Sequence, residues 1–252
     1  MVRAVLVWLR GLLGALIFPL WTMLCVSGAL VAGWLKRDPN FFYYAQRGWA
    51  RGLYRLCGIE LELLGAEHMA ADGAYVIVAN HASYMDIPAL FAALPKLPQF
   101  LAKRELARIP FLGAALRSGR HLLVTRGDHA SARSSLESAA DHLKAGAAIL
   151  IFPEGTRSTQ DEIGPFKTGA FRLAKLGQVA ILPVGISGTR RILPKHGRTI
   201  RPGKVRVRVG VPIAAVDVQN VPLNELSEHV RALLGELSGL PLAPQPSPAA
   251  QT

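Results

Sequence analysis

Cysteine is nearly absent from this chain: Cys25 and Cys57 are the only two in 252 residues, and Cys25 lies inside an apolar run. Two cysteines so placed supply neither a disulfide framework nor a thiolate metal cluster, and they fit a reducing, cytoplasm-facing compartment. Acidic residues are also scarce, 17 against 29 lysines and arginines, which leaves a formal charge of +12 and a pI near 10.3. Such an excess points to acidic partners, whether nucleic acid, anionic lipid headgroups or a phosphorylated substrate, and charge alone does not choose among them. The sequence has no internal repeat and no recognisable nucleic-acid module, so nucleic acid is not the expected partner.

Charge is missing altogether from residues 11–35, a run bracketed by Arg3 and Arg10 before it and by Lys36 and Arg37 after it. As a helix it extends roughly 37 Å at 1.5 Å per residue, against a hydrocarbon core of about 30 Å. It is long enough to cross a bilayer. Pro19 and the glycines equally allow a kinked helix held in one leaflet. The run exceeds the roughly 7–15 apolar residues of a signal-peptide core, so a membrane anchor is the expected reading. Lys36, Arg37, Arg47, Arg51 and Arg55 outnumber the two arginines on the other flank, which by the positive-inside bias places the rest of the chain on the cytoplasmic face of the inner membrane. Residues 39–57 mix six aromatics with arginines, suiting either a segment at the bilayer interface or an amphipathic helix packed on the domain.

From Ile59 onward short apolar runs alternate with longer amphipathic stretches. This pattern predicts an α/β fold, a mostly parallel sheet flanked by helices and preceded by the N-terminal membrane-anchoring helical segment. Strands are expected at 60–64, 74–79, 121–124, 147–152, 180–184 and 205–209, and helices at 86–94, 111–117, 130–145, 169–176 and 223–237. The resulting organisation is a membrane-associated region over 1–57, a catalytic α/β domain over 58–237 and a proline-rich, disordered tail over 238–252.

Two strings carry chemistry. Asn80-His81-Ala82-Ser83-Tyr84-Met85-Asp86 follows an apolar strand, so His81 falls where a strand gives way to a helix, at the rim where α/β sheets bind ligands. On one continuous helix residues five apart diverge by about 140°, so His81 meets Asp86 only if it precedes the helix. Ser83 is the candidate N-cap, with Asp86 in the first turn folding back to orient the imidazole. His81 could then take a proton from a substrate hydroxyl. Phe152-Pro153-Glu154-Gly155-Thr156-Arg157-Ser158 also follows an apolar strand. Gly155 permits close backbone approach, Thr156 and Ser158 offer hydroxyls, and Arg157 offers a planar fork for phosphate.

This ordered pair of strings, about seventy residues apart, resembles the glycerophospholipid acyltransferase family over roughly residues 74–188. The resemblance implies that His81 is the general base, Asp86 its orienting partner, and Glu154, Gly155, Thr156 and Arg157 part of the acceptor site. Lys103 resembles a family position near the acceptor phosphate, and Lys167 could reach the same anion. A weaker block, residues 120–126, keeps Arg126 as a candidate phosphate ligand but has Arg120 and Thr125 where the family has Gly and Asp, which leaves the headgroup open. Residues 181–184 match a strand associated with the acyl-donor side. The arginines at 190, 191, 198, 201, 206 and 208 form a candidate face for anionic lipid or an acidic carrier. The implied reaction moves an acyl chain from acyl-CoA or acyl-carrier protein to 1-acylglycerol 3-phosphate, with no cofactor and no metal, because the thioester is already activated. Another lyso-lipid acceptor, such as a lyso-ornithine lipid, is the rival within the class. A non-enzymatic, basic, membrane-tethered binding protein is the rival outside it.

Overall fold

The computed structural model describes residues 2–36, 41–109, 111–124, 129–197 and 199–244. Two helices come first, α1 (Val2–Lys36) and α2 (Phe41–Leu56), and they pack against each other. The Trp21 indole N–H donates to the Trp49 carbonyl at 2.9 Å, the Trp49 indole donates to Thr22 Oγ1 at 3.1 Å, and Phe18 meets the Trp49 ring edge-on. Gly52 makes this approach possible, since a Cβ there would lie 2.2 Å from the Trp21 ring. Val26 and Ala29 are buried beside Phe42, while Leu16, Leu20, Leu24, Val31 and Leu35 remain exposed on α1.

Among the described residues seven strands follow: β1 (Ile59–Leu64), β2 (Tyr75–Ala79), β3 (Gln99–Lys103), β4 (Leu122–Val124), β5 (Ala148–Ile151), β6 (Ala180–Ser187) and β7 (Gly203–Val209). They form one sheet in the order β1-β7-β6-β2-β5-β3-β4, parallel throughout except for the antiparallel β6–β7 pair. The other α-helices among the described residues are α3 (Asp86–Ala93), α4 (Leu112–Ser118), α5 (His129–Lys144), α6 (Gly169–Gly177), α7 (Thr189–Ile192), α8 (Ala215–Asn220) and α9 (Leu223–Ser238). All five residues of β2 are buried, as a central parallel strand covered on both faces requires. Successive side chains point to opposite faces, so Ile77 packs with Leu53 of α2 and Leu90 of α3, while Val76 packs with Leu143, Phe171 and Leu234 of α5, α6 and α9. The sheet thus holds the ends of β2 and β5 rigidly side by side.

Several elements differ from the sequence reading, among them the short helices α7 and α8, which it does not include. Residues 99–103 form β3, which the sequence reading does not include: Gln99 and Phe100 pair with β5, then Leu101 to Lys103 pair with all three residues of β4. Strand β6 runs on to Ser187 because residues 184–187 pair with β7 after 180–184 pair with β2. The tail expected to be disordered from residue 238 is docked as far as the described residues reach. Ile163 N–H donates to Pro241 O, and Ile163 O accepts in turn from Ala243 N–H, both at 2.9 Å. A count of prolines misses this, because the pairing uses the Pro241 carbonyl and not the N–H that proline lacks. Residues 245–252 lie outside the described residues.

Candidate active site

His81 and Asp86 meet across the turn that joins β2 to α3. His81 Nδ1 lies 2.7 Å from Asp86 Oδ2, with the His81 side chain 16% exposed and that of Asp86 fully buried. The same oxygen accepts the Ala82 and Ser83 backbone N–H groups at 2.8 Å each. An oxygen receiving two N–H donors is an acceptor, so Nδ1 carries the hydrogen and Nε2 presents its lone pair. Among the described residues no hydrogen bond engages Nε2. Phe152 stacks on the imidazole, with ring centroids 4.0 Å apart and planes 13° from parallel, and fixes its plane.

Helix α3 begins at Asp86, after Met85 in helical conformation and with no side-chain cap. Ser83 is therefore not the N-cap. Its hydroxyl accepts from Met85 N–H at 3.1 Å and donates to Leu193 O at 2.7 Å, tying the turn to the segment after α7. The Tyr54 hydroxyl donates to Met85 O at 2.9 Å, which ties the same turn to α2. Asn80 is buried and pairs with both backbone groups of Ile186 in β6, at 2.9 and 2.8 Å.

The loop after β5 closes on this turn from the other side. Glu154 Oε1 accepts the His81 backbone N–H at 2.8 Å, Oε2 accepts Gly164 N–H at 3.4 Å, and Ser158 N–H donates to His81 O at 2.8 Å. Burial pushes the Glu154 carboxyl up, and the two backbone donors pull it back. The family resemblance puts Glu154 in the acceptor site, but both its oxygens face the backbone here, and the side chain braces His81. Arg157 lies 3.6 Å over the ring of Tyr84 and donates through Nη1 to Lys195 O at 3.0 Å. Lys195 Nζ is 3.2 Å from Thr156 Oγ1. Gly155 has φ +72°, and a Cβ on it would lie 3.2 Å from Lys167 Nζ, so that ammonium rests against the loop. Arg157, Lys167 and Lys195 thus surround Gly155 and Thr156, and among the described residues no carboxylate forms an ion pair with any of them.

Lys195 was not found from the sequence. It lies 39 residues beyond Thr156, on a loop that carries no motif. The Lys103 side chain and Arg126 lie outside the described residues, as does Arg198. Within the arginine-rich run, Arg190 is paired with Asp161 at 3.0 Å and Arg206 with Glu62 at 2.9 Å, which reduces the free charge of that face. Among the described residues no three His, Cys, Asp or Glu side chains gather to hold a metal ion.

An imidazole with an open nitrogen, backed by a buried carboxylate and set beside an anion-seeking loop, can deprotonate a hydroxyl on an anionic substrate. That arrangement sits at the carboxyl ends of a mostly parallel sheet. The chain belongs to the acyltransferase family, whose sequence profile matches residues 60–187. It is 33% identical over 180 residues to the 1-acyl-sn-glycerol-3-phosphate acyltransferase of Saccharomyces cerevisiae, covering 70% of this chain and 59% of that protein. It is 34% identical over 179 residues to 1-acyl-sn-glycerol-3-phosphate acyltransferase alpha of Homo sapiens, covering 70% and 62%. The matched region therefore spans less than two thirds of either relative. The crystal structure of the 1-acyl-sn-glycerophosphate (LPA) acyltransferase PlsC from Thermotoga maritima superposes with a TM-score of 0.80 at 26% identity, covering 90% of this chain and 94% of that one.

Proposed function

We propose that this protein transfers an acyl group from a thioester, carried by coenzyme A or an acyl-carrier protein, to the free hydroxyl of 1-acylglycerol 3-phosphate. The observation that carries the reading is the His81–Asp86 pair at 2.7 Å, set beside three cations that meet no carboxylate among the described residues. His81 Nε2 takes the hydroxyl proton as the oxygen attacks the thioester carbonyl. The C–S bond then breaks, and the proton passes to the departing thiolate. Asp86 stabilises the imidazolium that forms in between. Arg157, Lys167 and Lys195 suit a phosphate monoester, whose dianion accepts several charge-assisted bonds at once.

The acyl chains place the reaction at a membrane. Within α1, residues Phe18–Leu35 have a mean hydropathy of 1.6. The inner side of α1 covers α2, and the exposed side bearing Leu20, Leu24 and Val31 enters lipid on the cytoplasmic face.

A panel of acceptors tests the reading. With one acyl-CoA, lysophosphatidate should react far better than monoacylglycerol or a lysophosphodiester. Arg157→Ala and Lys195→Ala should each weaken lysophosphatidate by roughly 10- to 150-fold, the equivalent of 1.5–3 kcal/mol, and leave the phosphate-free acceptor unchanged. Equal losses on both acceptors would show that these cations do not read phosphate.

A further inference from the structure

Arg231 on α9 is a buried arginine, 3% exposed, far in sequence from both motif loops. Its Nε–H donates to Gly164 O at 2.9 Å and its Nη2 group donates to Ile163 O at 3.1 Å and to Ala243 O, while Nη1 lies 3.5 Å from Glu228 Oε2. A guanidinium is costly to bury, so its donors are spent on a definite target. That target is the two successive carbonyls of Ile163 and Gly164. The strap formed by residues 241–243 grips the same stretch through both backbone groups of Ile163.

The grip continues into the active site. Gly164 N–H donates to Glu154 Oε2, and Glu154 Oε1 accepts the His81 N–H, so Arg231 is joined to the His81 main chain by three successive hydrogen bonds. Glu154 is buried enough for its carboxyl to be pushed up, and these two N–H groups, from separate loops, keep it in place. Movement of Gly164 would leave one oxygen without its donor and free the carboxylate to turn. The His81 backbone would then lose its brace, although the Asp86 contact to the ring persists.

We infer that Arg231 and the strap 241–243 are positioning elements of the active site, holding Gly164 so that Glu154 fixes the backbone of His81. This rests on the reading of His81 as the base. A segment beyond the last helix thereby sets the aim of a histidine some 160 residues earlier in the chain.

The test compares full-length protein with chains ending at residue 244 and at residue 239, and with Arg231→Met, each alone and combined with Glu154→Gln. Turnover and both KM values are measured with acyl-CoA and detergent-dispersed lysophosphatidate, below the melting temperature found for each variant. The chain ending at 244 should behave as the full-length protein. The chain ending at 239 and Arg231→Met should each lose roughly 10- to 100-fold in kcat, as a base displaced by about an ångström does, with both KM values within about twofold. In the Glu154→Gln background the same changes should cost less than about twofold, because groups acting as one unit are not additive. A folded chain ending at 239 with unchanged kcat, or losses that add fully to that of Glu154→Gln, would overturn the inference. His81→Ala is run in parallel. If it stays active, the reading of the base fails and this inference with it. If it is inactive while the strap variants turn over normally, only the inference about the strap fails.

Discussion

Replacing Asp86 by asparagine separates the charge of the carboxylate from its geometry, and the structure predicts an outcome unlike that of a serine-protease triad. In such a triad the equivalent change costs about 10⁴-fold because the amide stabilises the wrong imidazole tautomer. Here Oδ2 accepts the Ala82 and Ser83 N–H groups as well as the His81 ring. An amide NH₂ placed there would face two backbone donors, so the Asn oxygen must take that position and the Nδ1–H tautomer is retained. The NH₂ then occupies the site of Oδ1, a buried atom with no hydrogen-bond partner among the described residues. What is lost is the charge. An ion pair at about 4 Å is worth about 4 kcal/mol at an effective dielectric of 20, and with the proton roughly half transferred in the transition state about 2 kcal/mol of that applies. Turnover should fall about 30-fold, since each 1.36 kcal/mol is a factor of ten. Release of free thiol from acyl-CoA measures kcat, and thermal unfolding measures whether the turn survives. A drop near 10⁴-fold would refute the oxygen-locking argument, and a drop below about threefold would refute any role for the charge.

Two other expectations come from outside the reaction centre. His121 is buried between Phe100 and Phe91 and bonded to Gln46 Oε1 at 2.8 Å, and burial pushes its pKa down to about 3. Its contribution to stability is present above the unfolded value of about 6.5 and is lost as pH falls toward 3, at up to about 1.4 kcal/mol per unit, so urea unfolding of His121→Leu should show a flatter pH dependence over this range. An unchanged slope would mean that His121 titrates normally. Changing Leu20, Leu24 and Val31 together to serine should cut co-sedimentation with anionic vesicles at least tenfold while near-ultraviolet circular dichroism is unchanged, because each exposed apolar side chain contributes on the order of 1 kcal/mol or more when lipid covers it. Undiminished binding would place the membrane contact elsewhere.

How much could be read from the sequence follows from the range of each interaction. Strands β2 and β5 were legible because both are short, wholly apolar runs ending in polar motifs. The meeting of His81 with Asp86 is legible because only four residues of turn separate them. Ser83 does not cap α3 as its sequence position suggests, since the helix starts after Met85 and the Ser83 hydroxyl donates to Leu193, 110 residues away. Lys195 and the bracing role of Glu154 depend on loops brought together only by the sheet order, in which β2 lies between β5 and β6. Strand β3 is defined only by its pairing with β5 and β4, which no sequence pattern displays.

The central claim is that His81 removes the acceptor's proton, and one substitution reaches it most directly. In His81→Ala, turnover of acyl-CoA with lysophosphatidate should fall by about 10²–10⁴-fold, the usual contribution of a general base, while the melting temperature and acyl-CoA binding stay near those of the unaltered protein. A folded His81→Ala protein that binds acyl-CoA and transfers its acyl group at close to the normal rate would contradict the account.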